Sequence, residues 1–257
     1  VPDQHSMLVI SHGTKGGTAV LKDTWGFVLA NRSWVQLHDG SGAPAARYAP
    51  ASGLYPGTSQ LVMSHGFGRR RYSDVHAFSV PERAWATIKG RVNEYDPAGP
   101  HPRCLVAGTM PSPDTLALYG GCLENGFTGG PCPAKDAWRL QLHLATSEPA
   151  TLATSRVVPG GSWHRLREAP SARSWAALTP TPPAWGFGPR TVLLYGGQES
   201  STQVITNTRA PTDEVAILDA QGGGEWFEGR AAGDVPPFRY GACLATDPAG
   251  SGRILMF

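Results

Sequence analysis

The chain has 257 residues, a formal net charge of +2 and 16% charged residues, so there is no electrostatic case for a nucleic-acid partner. Thirty-two glycines and 23 prolines, without any long amphipathic period, argue against a helical protein. No apolar run approaches the roughly 20 residues that span a bilayer, so no membrane span is expected.

In chain order, the first element is the apolar run 7–10, which ends at His12-Gly13. An alternating segment from Asp23 follows, then a polar turn holding the sequon Asn31-Arg32-Ser33, then Trp34 with Leu37 three residues on. A Pro-x-x-Arg group ending in Arg47 opens the next unit, whose apolar run 60–63 ends at His65-Gly66. Asp74 leads an alternating strand 75–80, and Trp85 precedes Ile88. Arg103 opens a third unit, with apolar run 116–119, Gly120-Gly121, Asp136, and Trp163 before Leu166. Arg173 opens a fourth, with apolar run 191–195, Gly196-Gly197, Asp213 and Trp226; Gly229 stands there where an apolar residue is expected. Arg239 opens a last unit that runs to the apolar residues 254–257.

Apolar runs of this length bounded by glycine predict short strands covered on both faces. The glycines permit positive φ, so the chain can leave each strand sharply. Counting the run after each arginine, a full unit has four antiparallel strands, which cannot bury both faces alone; stacking successive sheets solves that, with each tryptophan between neighbours.

The order arginine, double glycine, aspartate, aromatic, tryptophan resembles the kelch repeat over nearly the whole chain. Kelch units recur at a period of roughly 50 residues; the copies here are longer-looped, and two replace Gly-Gly by Ser-His-Gly. The resemblance implies an all-β, kelch-type β-propeller of about four to five four-stranded antiparallel blades, incomplete at both ends. The expected units are 1–43 (partial), 44–99, 100–169, 170–235 and 236–257 (partial), a single domain that reads as a fragment of a larger ring.

Antiparallel strands alternate direction, so the loops sort onto two faces. The loops after the doublets and the connections between units share the first face: residues 66–72, the 122–132 loop and 198–212. The insertion near 142–162 and the proline-rich 179–189 fall on the second; the insertion reads as a mobile loop or a docking segment. Arg69, Arg70 and Arg71 form the sharpest charge cluster, suited to pair bidentately with carboxylate or phosphate, with Tyr72, Glu124 and Asn125 as further contact residues.

Cys122 and Cys132 bracket one loop and could staple it in an oxidising compartment. Cys104 and Cys243 read as small buried apolar residues. His12 and His65 read as replacements for a doublet glycine, and no metal or cofactor is expected. Elbow, Walker and dinucleotide motifs are absent from the sequence. The resemblance implies a non-catalytic scaffold that presents face loops to a protein partner, such as an acidic or phosphorylated peptide. The alternative it implies is a propeller enzyme or carbohydrate-active domain, similar to galactose oxidase or certain sugar epimerases. The sequence assigns no compartment.

Overall fold

The computed structural model describes residues 7–17, 19–55, 57–90, 98–123, 131–146, 155–199, 214–229, 232–234, 236–247 and 250–257. Asp213, Glu124 and Asn125 lie outside them. The described chain is all-β, with nineteen strands, one 3-10 turn at Pro183–Trp185 and antiparallel pairing throughout.

The strands β1 (Met7–Lys15), β2 (Ala19–Val28) and β3 (Ser33–His38) form a first sheet. A four-stranded meander follows: β4 (Ala51–Leu54), β5 (Gln60–Ser64), β6 (Val75–Ser79) and β7 (Ala84–Lys89). Two short strands, β8 (Arg103–Cys104) and β11 (Cys122–Leu123), pair with one another. The third sheet is β9 (Ala107–Ser112), β10 (Thr115–Tyr119), β12 (Ala137–Thr146) and β13 (Ser155–Arg165). The fourth is β14 (Ala177–Pro180), β15 (Thr191–Tyr195), β16 (Val215–Asp219) and β17 (Glu225–Gly229), and β18 (Leu244–Thr246) with β19 (Ile254–Met256) closes the list. The first strands lie side by side: β4 against β9, β9 against β14, β14 against β18.

Each central strand feeds two cores, because successive side chains point to opposite faces. From β10, Leu116 and Leu118 join Val62, Ala77 and Trp163 on one side. Ala117 and Tyr119 join Leu178, Leu194 and Leu218 on the other. All five β10 residues are buried, as are all five of β15.

The tryptophans pack between sheets where a preceding sheet offers a ring. Trp85 meets His12 edge-on at 5.3 Å, Trp163 meets His65 at 5.9 Å, and Trp226 meets Tyr119 at 5.4 Å. Trp34 differs: it leans on Phe27 of its own sheet and is 52% exposed. Trp85 is half-buried rather than a core residue. Gly229 is explained by its register opposite Val215, whose Cγ1 a Cβ there would meet at 2.4 Å.

Three sequence expectations are corrected. The first strand does not stop at its doublet; a bulge between Ser11 and Gly13 carries β1 on to Lys15, opposite Ala19. The insertion is no loose loop over its described part, because β12 and β13 continue as a hairpin whose Val157 joins the core. That hairpin is tied to the preceding sheet, where Gly161 O accepts from Lys89 Nζ at 2.9 Å and Arg156 pairs with Glu82 at 2.7 Å. Cys243 is exposed, not buried.

The arginines bind the sheets into one series. Arg47 is fully buried; it forks onto both Asp74 oxygens at 2.7 and 3.0 Å and donates to His65 O at 3.0 Å. Arg103 repeats this on Asp136 at 2.7 and 2.8 Å and on Gly120 O at 3.0 Å. Arg173 donates to Gly196 O at 3.2 Å and pairs with the Glu214 carboxylate; Asp213 lies outside the described residues. The arginine carbonyls complete the link: Gly13 N–H donates to Arg47 O, Gly66 to Arg103, Gly121 to Arg173 and Gly197 to Arg239, at 2.8 to 3.0 Å.

The second doublet residue has to be glycine, with φ from 84° at Gly121 to 107° at Gly13, and a Cβ on Gly121 would meet Cys104 O at 2.5 Å. The first sits near φ 60°, where His12 and His65 fit at a modest cost. This explains the Ser-His-Gly copies.

Trp163→Ala, leaving a cavity between two sheets, should cost about 3–5 kcal/mol in urea unfolding, whereas Trp34→Ala should cost under about 1 kcal/mol; equal losses would contradict the inter-sheet role. Arg103→Ala strands the Asp136 carboxylate, whose side chain is only 14% exposed. It should cost about 3–5 kcal/mol and exceed Arg173→Ala, whose Glu214 side chain is 60% exposed and can be rehydrated. The reverse order would count against the buried fork.

Candidate functional site

Three equivalent residue pairs line one end of the series, each made by the residue after an anchor arginine and the residue after a doublet. Tyr48 bridges Phe67, Cys104 lies opposite Cys122, and Ser174 bridges Gln198. The first and third exchange both backbone hydrogen bonds: 2.7 and 2.9 Å for Tyr48 with Phe67, 2.9 and 2.8 Å for Ser174 with Gln198. All six residues, with Arg71, Leu105 and Cys132, surround a cavity of about 280 Å³.

The residue two beyond each anchor arginine takes positive φ: Ala49 at 49°, Leu105 at 56°, Trp175 at 57° and Gly241 at 70°. The three non-glycines are in a region that side chains seldom occupy, and holding them there takes surrounding structure. Hydrogen bonds supply it, with Trp175 N–H donating to Leu105 O at 3.0 Å and Gly241 N–H to Trp175 O at 2.9 Å. Proline and doublet patterns carry no trace of this turn, so the sequence did not reveal these positions.

The arginine turn divides. Arg69 and Arg70 are exposed, while Arg71 is half-buried at the cavity, bridges Phe67, and has an Nε buried without an acceptor among the described residues. Tyr72 is 6% exposed and carries the Arg47 guanidinium 4.1 Å above its ring, so its ring supports the turn from within. The Cys122–Cys132 disulfide is present. Glu124 and Asn125 are outside the described residues.

A larger cavity of about 830 Å³ lies between the first strands β4, β9, β14 and β18. Its walls are small, hydroxyl-bearing or apolar residues such as Gly53, Thr109, Leu178, Thr179 and Phe187, and Asp247 is its one charged residue among the described residues. It offers space without converging charge. No group of three metal-ligating side chains occurs among the described residues, and no described helix is long and apolar enough to cross a membrane.

The anchors hold fixed charge states. Burial alone would raise the Asp74 carboxyl, but hydrogen bonds from His76 and Arg47 and the Arg47 charge hold it well below the ordinary carboxylate range. Asp136 is lowered against its burial by the Arg103 hydrogen bond and charge. His65 is pushed down to about 3, first by burial and then by the Arg103 charge; His12 falls to about 4, first by burial and then by Arg47. Both imidazoles are therefore neutral near pH 7.

No family model matches the chain, and no curated protein matches it.

A histidine whose folded pKa lies below its ordinary 6.5 binds a proton more readily when unfolded, so stability falls as pH drops below that value. The lowered carboxyls act in the same direction at still lower pH. Urea midpoints should be flat above about pH 7 and fall between 6.5 and 4, by up to about 1.4 kcal/mol per pH unit for each histidine. His65→Asn keeps a residue tolerant of positive φ and removes the titration. The variant should therefore show a shallower fall; an unchanged slope would contradict the neutral, buried state of His65.

Proposed function

We propose that the chain is a kelch-type β-propeller serving as a non-catalytic protein–protein interaction scaffold. The cavity beside Arg71 is its docking point for an acidic or phosphorylated side chain of a partner peptide. The repeating arginine, doublet and acid in successive antiparallel sheets support the fold reading. The observation that carries the functional reading is the placement of Arg71, with its unaccepted buried Nε, beside a cavity built from three successive units.

The chemistry suits such a ligand. A guanidinium fork pairs bidentately with carboxylate or phosphate. Ser174 and Gln198 add neutral hydrogen-bonding groups, and Tyr48 and Phe67, with rings 5.5 Å apart, give an apolar wall for an aliphatic stem. Exposed Arg69 and Arg70 attract anionic segments and speed encounter, an effect that salt weakens.

The test compares a fluorescein-labelled glutamate-rich peptide with its glutamine counterpart. Substituting Arg69, Arg70 and Arg71 by Ala together should weaken binding of the acidic peptide at least about tenfold, ~1.4 kcal/mol, without moving the unfolding midpoint. Equal affinity of the triple variant, or equal binding of the glutamine peptide, would remove the arginine turn as the docking point.

A further inference from the structure

We propose that Cys104, Cys122 and Cys132 form a thiol–disulfide exchange site in which one disulfide migrates between two positions. Cys122 is bonded to Cys132 across the base of the 122–132 loop, while Cys104 keeps its thiol. Cys104 is also the direct cross-strand partner of Cys122 in the β8–β11 pair. Opposed residues in antiparallel strands project to the same face, with Cα atoms about 4.5–5.5 Å apart. Disulfides span about 4.4–6.8 Å, a range that includes this cross-strand spacing.

The neighbouring units show what this position does to side chains. In the equivalent pair, Tyr48 and Phe67 are in ring contact at 5.5 Å, and Ser174 and Gln198 hold the same place in the next unit. All three cysteines border the same 280 Å³ cavity.

The step is balanced without an external oxidant. Cys104 loses its proton, and its thiolate Sγ attacks Cys122 Sγ. The Cys104–Cys122 bond forms as Cys122–Cys132 breaks; the bonding pair leaves on Cys132 Sγ, which takes up a proton. One disulfide and one thiol stand on each side. The covalent tie moves from the mouth of the loop to the β8–β11 pair, and the thiol moves from a buried strand to the start of the segment before Pro133. Backbone contacts that hold this segment, Leu123 N–H to Pro131 O at 3.1 Å and Ala134 N–H to Gly121 O at 2.8 Å, bracket the change. The inference rests on the cysteines alone and stands or falls apart from the partner reading.

Disulfide mapping tests it in a Cys243→Ser background, which removes the exposed thiol. Folded protein is held without reductant at about pH 8, since exchange speeds up as the thiolate fraction rises, then quenched in acid, unfolded, capped with N-ethylmaleimide and mapped by peptide mass spectrometry. The expected result is two linked species: Cys122–Cys132 with the cap on Cys104, and Cys104–Cys122 with the cap on Cys132. A single species with the cap confined to Cys104 would overturn the proposal. A second variant, Cys132→Ser in a glutathione buffer, should form the Cys104–Cys122 crosslink; recovery of both residues as thiols or glutathione adducts would overturn it equally. Near-UV circular dichroism of each sample checks that the exchange occurs in the folded chain.

Discussion

The structure depends on a guanidinium that is bound from two sides. Three of the four anchor arginines are nearly inaccessible to water, with Arg47 0%, Arg103 1% and Arg173 3% exposed, while Arg239 is half-buried. A charge so placed is tolerable only if its donors are met, and here they are met by an acid and by the first carbonyl of a glycine doublet. The second glycine of that doublet then donates its N–H to the carbonyl of the next arginine. Side chain and backbone thus alternate as links, from Arg47 through His65-Gly66 to Arg103, and on through Gly120-Gly121 and Arg173 to Gly197 and Arg239. Removal of one link leaves polar groups of two units without partners, so the sheets are coupled beyond their apolar contact.

Within that series the packing is asymmetric. On β10, Leu116 and Leu118 face one neighbour, where they share a core with small residues such as Ala77, while Ala117 and Tyr119 face the other. This lets sheets approach closely, and glycines take the tightest points: a Cβ on Gly108 would meet Ala51 Cβ at 2.4 Å, and one on Gly53 would meet Met110 N at 2.6 Å. Close approach of the first strands leaves little freedom to the turns just before them. The residues at Ala49, Leu105 and Trp175 accordingly hold positive φ.

Those turns put three equivalent pairs around one cavity, and this separates frame from recognition. The backbone bridge is the same for Tyr48 with Phe67 and for Ser174 with Gln198, yet the side chains are aromatic in one and polar in the other. Position is set by the relay beneath; chemistry is free to vary above it. A cysteine pair at the middle position, with a third cysteine in reach, adds covalent choice to the same wall.

The sequence by itself determined the repeat, the strand character of the apolar runs, the anchor arginines and doublets, and the loop joined by Cys122 and Cys132. Each is a local pattern: period-two burial, positive φ at glycine, or two sulfurs bracketing a short loop. Tertiary structure decided the rest. Glu214, which no motif marked, meets Arg173 because the fold brings its carboxylate within reach of that guanidinium. Tyr72 turned inward under Arg47 although it adjoins three arginines, since its ring is needed against the buried guanidinium. Trp34, Trp85 and Trp163 share one motif but differ in burial, from 52% exposed at Trp34 to 8% at Trp163, because the neighbouring sheets surround them to different extents. Cys104 acquired Cys122 as its neighbour through strand register, a relation between residues far apart in the chain that no local pattern encodes.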